Sequence, residues 1–185
     1  MRWRIFQGSQ RRVLDPLRYD LVIKIAWFRW RYIRDYWEGN VVGMYREMYA
    51  SKVPEARQLY WENVWLGLKR ALWQTFGGVA DNWRERRYYK RCAPVQRALL
   101  KPTYFSLFGF VNVQKRGIPS RDADVCRPMR KVIGRGVALD GHHWDSPHNF
   151  DVSSGCLQVL DYGSLVTQRI LDKHAAALSK LTFPQ

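Results

Sequence analysis

The sequence predicts an α+β fold, and three observations carry that prediction. A β-branched run, Leu21-Val22-Ile23-Lys24-Ile25, reads as a strand. Trp61, Trp65, Leu68, Leu72 and Phe76 recur at steps of four and three, the period of one helix face. Strand-like segments return late in the chain, at residues 103–114 and 156–160, after the helical region rather than alternating with it. Strands, then helices, then strands again is an α+β order.

Taken in order, residues 4–26 read as strand, turn, strand, with Gly8-Ser9-Gln10 as a flexible turn after Ile5-Phe6. Lys24 stands inside the apolar second strand. A buried ammonium is costly unless it meets an anion. The other reading is an edge-strand lysine that blocks aggregation. Residues 26–37 are crowded with aromatics, from Trp27 and Phe28 to Tyr36 and Trp37, and predict a helix ending near Gly39. A longer helix is predicted over 54–76, with Pro54 at its start and Gly77-Gly78 at its end; its aromatic stripe is expected to face the core. A third helix follows over 81–92, with Asp81 or Asn82 as N-cap. Glu85 stands there among Arg84, Arg86, Arg87, Lys90 and Arg91, and taken alone is a surface carboxylate balancing its neighbours. Residues 103–114 read as two strands around Gly109, and Lys115-Arg116-Gly117-Ile118-Pro119 breaks the pattern. Val125, Met129, Val132 and Ile133 predict a helix closed by Gly134 and Gly136. The last helix spans 164–181, with Val166, Ile170, Leu178 and Leu181 inward.

A chain of 185 residues fits one domain, or two small lobes around a cleft. The hydrophobic fraction of 46% supplies a core, while the mean hydropathy of −0.42 argues against a membrane span. The basic start, Met1-Arg2-Trp3-Arg4, leads into no signal-peptide apolar region. Cys92, Cys126 and Cys156 lie too far apart for a metal motif or a disulfide framework. They read as small buried residues of a protein in a reducing cytoplasm. The net charge of +15 attracts nucleic acids, acidic proteins, anionic membrane surfaces and nucleotides without choosing among them. Arg29-Trp30-Arg31-Tyr32 and Arg86-Arg87-Tyr88-Tyr89-Lys90-Arg91 interleave cations with rings. They form either a face that stacks bases or an ordinary amphipathic surface.

The densest chemistry lies in His142-His143-Trp144-Asp145-Ser146-Pro147-His148-Asn149 and in Leu160-Asp161-Tyr162-Gly163. Asp145, Asn149 and Asp161 are hard-oxygen groups of the kind that hold Mg²⁺, and the run 156–160 delivers Asp161 to a strand end. The three histidines match no zinc spacing.

The ordered set resembles the protein-kinase-like fold, and in particular small bacterial and bacteriophage kinase-like proteins. Gly8-Ser9-Gln10-Arg11-Arg12-Val13 resembles the glycine-containing first turn, Val22-Ile23-Lys24-Ile25 the third-strand lysine, and Glu85 the helix glutamate. His143-Trp144-Asp145 with Asn149 is similar to the catalytic loop, and Leu160-Asp161-Tyr162-Gly163 to the Asp-Phe-Gly metal loop with Tyr for Phe. The resemblance implies a reduced two-lobed fold. Residues 1–117 would form the N-lobe, with an aromatic-rich helical insertion at about 26–80, and residues 118–185 a minimal C-lobe. It implies that Lys24 holds the α- and β-phosphates of ATP and is itself held by Glu85. Backbone near Gly8 and Ser9 would cover the phosphates. Asp145 would accept the proton of the attacking hydroxyl, and Asn149 and Asp161 would hold Mg²⁺, with Asp151 as a substitute ligand.

Three functions follow as expectations. The first is an ATP- and Mg²⁺-dependent phosphotransferase. The second is an inactive kinase-like protein that docks on an acidic partner, since Asp145 to Asn149 is one residue short of the family spacing and Trp144 takes the base position if Asn149 is in register. The third is an unspecific nucleic-acid binder. The resemblance places the protein in a host cytoplasm, without a membrane association, and the tryptophan-rich insertion offers a surface for self-association.

Overall fold

The computed structural model describes residues 3–7, 11–43, 45–46, 55–134 and 141–184. Among them, β1 (Arg4–Gln7), β2 (Arg11–Asp15), β3 (Leu21–Ala26), β4 (Thr103–Leu107) and β5 (Val111–Lys115) form one antiparallel sheet in the order β1-β2-β3-β5-β4. The first segment is therefore three strands rather than two, because residues 11–15 pair with both neighbours. β3 lies in the interior of the sheet, with Lys24 opposite Val13 on one side and Asn112 on the other. An edge-guarding role for Lys24 is thereby excluded, and the lysine is buried.

The helical part begins with α1 (Arg31–Tyr36), which runs on into a π-helical turn at Trp37–Val42 and so passes Gly39. Next comes α2 (Glu55–Arg91), a single helix of 37 residues and about 55 Å. The expected break at Gly77-Gly78 does not occur, and Asn82 is not a cap. Each glycine costs about 1 kcal/mol relative to alanine in a helix, but tertiary contacts hold this stretch in place. Both glycines are buried. Asn82 Nδ2 donates to the Lys24 carbonyl at 3.3 Å and to the Gly109 carbonyl at 3.0 Å, fastening the helix to β3 and to the β4–β5 turn.

The outer half of α2 outruns the sheet. α1 covers one side of it, where the Tyr36 ring lies against Gly67 and the Tyr36 hydroxyl donates to the Val64 carbonyl. The aromatic stripe expected in the core faces solvent instead: Trp61, Trp65, Leu72 and Phe76 are all exposed. The strands end before the helix does, so the sheet does not cover this face, and Phe76 meets the Phe28 and Trp30 rings instead.

After α2 come α3 (Pro94–Ala98), α4 (Cys126–Ile133), α5 (Gly141–Trp144), the short strands β6 (Phe150–Asp151) and β7 (Gln158–Val159), and α6 (Leu165–Leu178). α4 ends at Gly134 with φ +60, as its sequence predicts. Ser164 caps α6 by accepting from the Val166 and Thr167 amides. A continuous apolar core joins these elements through Leu99, Leu100, Met129, Trp144, Phe150, Leu157, Val159, Tyr162, Leu171 and Leu178. Cys92 and Cys126 lie in it, whereas Cys156 is exposed, against expectation. The strand expected over 156–160 is cut to Gln158–Val159, paired with Phe150–Asp151. No described helix is long and apolar enough to cross a membrane.

Candidate functional site

The face of the sheet that meets α2 should be apolar, yet its central residues are polar. Directly opposed residues of an antiparallel pair share a face, as do residues two apart on one strand. The register therefore puts Arg11, Lys24, Asn112 and Gln114 on one face, and all four are buried. A buried charge must be paired. α2 supplies the anion, for Glu85 is fully buried and points at this face. Lys24 Nζ donates to Glu85 Oε1 at 2.9 Å and to Oε2 at 3.2 Å. Arg11 Nη1 donates to Glu85 Oε1 at 2.8 Å and to Asn82 Oδ1 at 3.3 Å, and Asn112 Nδ2 reaches Glu85 Oε2 at 3.3 Å. The surface reading of Glu85 is thus corrected. Arg87 and Lys90 on α2 do face outward, but Glu85 occupies the helix position that meets the sheet.

The segment Leu160–Gly163 closes the cluster. The Leu160 carbonyl accepts from Lys24 Nζ at 2.7 Å and from Gln114 Nε2 at 3.2 Å. The Asp161 carboxylate forms an ion pair with Arg11 Nη2. Tyr162 is wholly buried. Its hydroxyl donates to the Lys101 carbonyl at 2.8 Å and meets Thr103 Oγ1 at 2.7 Å, and burial, reinforced by Glu85, pushes its pKa well up. The Gly163 carbonyl accepts from Arg84 Nε at 2.9 Å. Any Cβ at Gly163 would stand 2.7 Å from Asp81 Cβ, so only glycine lets the segment lie this close to α2.

Two cations and two anions therefore meet: Lys24 and Arg11 against Glu85 and Asp161. Burial works to raise the Asp161 pKa. The charges of Arg11 and Lys24, together with the Arg11 hydrogen bond, outweigh it and hold the carboxyl far below the usual carboxylate range. For Arg11, desolvation opposes the charged form, but Asp161 and Glu85 overcome it and keep the guanidinium protonated.

Asn149 stands next to this cluster. Its carbonyl accepts from the Leu160 amide at 2.8 Å across the mouth of the β6–β7 hairpin. Its side-chain Nδ2 donates to the His143 carbonyl at 2.9 Å, which leaves Oδ1 as the end with ligand character. By donor chemistry alone, Asp161 would offer a hard divalent cation an ionised carboxylate and Asn149 a neutral oxygen. The carboxylate, however, is already engaged by Arg11.

Asp145 is not drawn into the cluster. It is exposed and pairs with Arg130, Nε to Oδ1 at 2.6 Å. Asp151 is a structural residue rather than a substitute ligand. It is buried, pairs with Lys101 Nζ at 2.8 Å, and accepts from the Ile118 and Ser153 amides. Gly8 and Ser9 lie outside the described residues. No described group of three or more His, Cys, Asp or Glu side chains is arranged to hold a metal ion. A surface hollow of about 670 Å³, lined by Tyr32, Tyr36, Leu66, Arg70 and Gln74, lies elsewhere, on the outer half of α2.

Arg11, Asn82, Asn112 and Gln114 are the members that motif spacing missed. The signal was present in strand periodicity: Arg11 is two residues before Val13, and Val13 lies opposite Lys24. No protein-family model, no curated protein and no solved structure matches this chain.

Proposed function

We propose that this chain is a kinase-like phosphotransferase acting with ATP and Mg²⁺. One observation carries the reading. A buried ion pair joins a third-strand lysine, Lys24, to a helix glutamate 61 residues away, and the same ammonium touches the backbone beside Asp161. A lysine and glutamate paired in this way hold the phosphates in kinases, where the metal-binding aspartate must be in place beside them.

In this reading Lys24 orients the α- and β-phosphates, and Glu85 holds Lys24 in position. Asp161 and Asn149 are the residues that would hold Mg²⁺. The bound ion would neutralise charge on the phosphate oxygens. Tyr162 and Gly163 keep Asp161 beside Arg11 and Lys24 by anchoring the segment to the core and to α2. Asp145 would take the proton of the acceptor hydroxyl once released from Arg130.

Calorimetry with Mg-ATP tests this. The wild type is expected to bind, and Asp161→Asn and Lys24→Met are each expected to lose at least tenfold in affinity while keeping a cooperative melt. Absence of binding by folded wild type would overturn the reading. A second reading then takes its place: a kinase-like protein without catalysis that docks on an acidic partner. The Asp145–Arg130 pair favours it, because the proposed base is engaged by a cation on the exposed surface.

A further inference from the structure

We infer that Arg11 is a built-in counter-ion of the metal-binding carboxylate, and that a divalent cation binds Asp161 only by displacing it. The inference rests on the assignment of Asp161 as a metal ligand, and it adds a competitor that the kinase resemblance does not contain.

Three observations lead there. First, the geometry is that of an arginine built into the site. Arg11 is nine-tenths buried at the start of β2, and its planar fork divides between two carboxylates. One arm holds Glu85 at 2.8 Å and Asn82 at 3.3 Å, and the other pairs with Asp161. An arginine can span two acceptors in this way, while the single ammonium of lysine acts as a point charge. Second, the charges already balance. Lys24 and Arg11 neutralise Glu85 and Asp161, and Asn149 adds no charge. Affinity for a hard cation rises with the negative charge of its ligands, so a neutral cluster attracts Mg²⁺ poorly. Third, Lys24 cannot replace Arg11 at Asp161 without giving up other bonds, since it already donates to both Glu85 oxygens and to the Leu160 carbonyl.

Removing the guanidinium should therefore open the carboxylate and leave the cluster with one net negative charge. Glu85 would keep Lys24 and Asn112 as partners. Phosphate oxygens are an alternative partner for a guanidinium. Mg-ATP can thus draw Arg11 away from Asp161, where free Mg²⁺ cannot.

The test is titration of free Mn²⁺ and free Mg²⁺, by electron paramagnetic resonance and calorimetry, into wild type, Arg11→Gln and the Arg11→Gln/Asp161→Asn double variant. The expected result is at least a tenfold gain in metal affinity in Arg11→Gln, abolished in the double variant. If Arg11→Gln does not fold, Arg11→Lys is expected to gain affinity in the same direction but by less, because its single ammonium cannot hold both carboxylates while the cluster stays neutral. A folded variant with unchanged metal affinity overturns the inference. Mg-ATP separates the two readings. Asp161-dependent Mg-ATP binding with no effect of Arg11 would leave the phosphotransferase standing and end this inference. A gain of Mn²⁺ binding with no Mg-ATP binding in any variant would do the reverse.

Discussion

At the scale of single residues, the cluster is organised by the cost of burying charge. Glu85 is the anion that two cations share, and Asp161 is the anion that stays partly open to solvent. The Asp161 pair should shape acid stability. Its folded pKa lies below its unfolded value, so the unfolded chain takes up the proton first as pH falls. The stabilisation is present in full above the ordinary carboxylate pKa of about 4 and is lost below it. It should be worth on the order of 2 kcal/mol at neutral pH. Melting temperature measured from pH 7 to pH 2 should fall more steeply for wild type than for Asp161→Asn, with the two curves converging in acid. Some acid sensitivity should persist in the variant. Asp151 is also held below its ordinary value, since its bonds to Lys101, Ser153 and the Ile118 amide outweigh its burial. Parallel curves would show that the Arg11 pair stabilises nothing.

At the scale of elements, the central fact is that α2 does not break. Local signals predicted the opposite, for Gly77-Gly78 reads as a stop and Asn82 as a start. Those signals describe a helix in water, whereas here Thr75 bonds the Arg29 carbonyl on one side of the glycines and Asn82 bonds the Lys24 and Gly109 carbonyls on the other. The close approach is visible at Gly109. Its φ is +80, and a Cβ there would collide with the Val79 carbonyl oxygen of α2. Gly109→Ala should therefore destabilise the protein by more than about 1 kcal/mol, through backbone strain and steric contact together. Urea unfolding measures this, with an unchanged slope expected, and a loss below about 0.5 kcal/mol would show that the turn and helix are not in contact. The same elements show what the sequence could disclose. β3, the strand pair around Gly109, α4 and α6 were legible because their periodicity and turn residues act locally. Lys24, Glu85 and Asp161 were legible as a set only through the ordered resemblance, since Lys24 alone reads as an edge lysine and Glu85 alone as a surface carboxylate. Arg11 was hidden, since an arginine beside another arginine in a chain of +15 looks like surface until strand pairing assigns its face. Asp145 was legible as a motif, yet its partner Arg130 depends on how α4 packs, which no local pattern reports.

At the scale of the molecule, two surface properties oppose each other. A net charge of +15 makes copies of the chain repel. Yet Trp61, Trp65 and Trp73 on the outer half of α2 are each more than half exposed, with Trp30 and Trp37 from the adjoining segment in the same condition. Exposed rings in such number favour association. Some of them are stacked by cations, Lys69 over Trp65 and Arg84 over Trp73, and such stacking leaves part of each ring's area open to solvent. Salt decides which property wins, because it screens charge over a distance of about 8 Å at physiological strength and leaves apolar contact intact. Sedimentation velocity should therefore find a monomer at low salt and a growing share of dimer as sodium chloride rises toward 0.5 M. Replacing Trp61 and Trp65 together by Glu should keep the protein monomeric throughout, with at least a tenfold loss of association. Dimerisation that weakens with salt would mean instead that charge pairing between copies drives it, and would move the interface away from the tryptophans to the basic turns of α2 near Arg91.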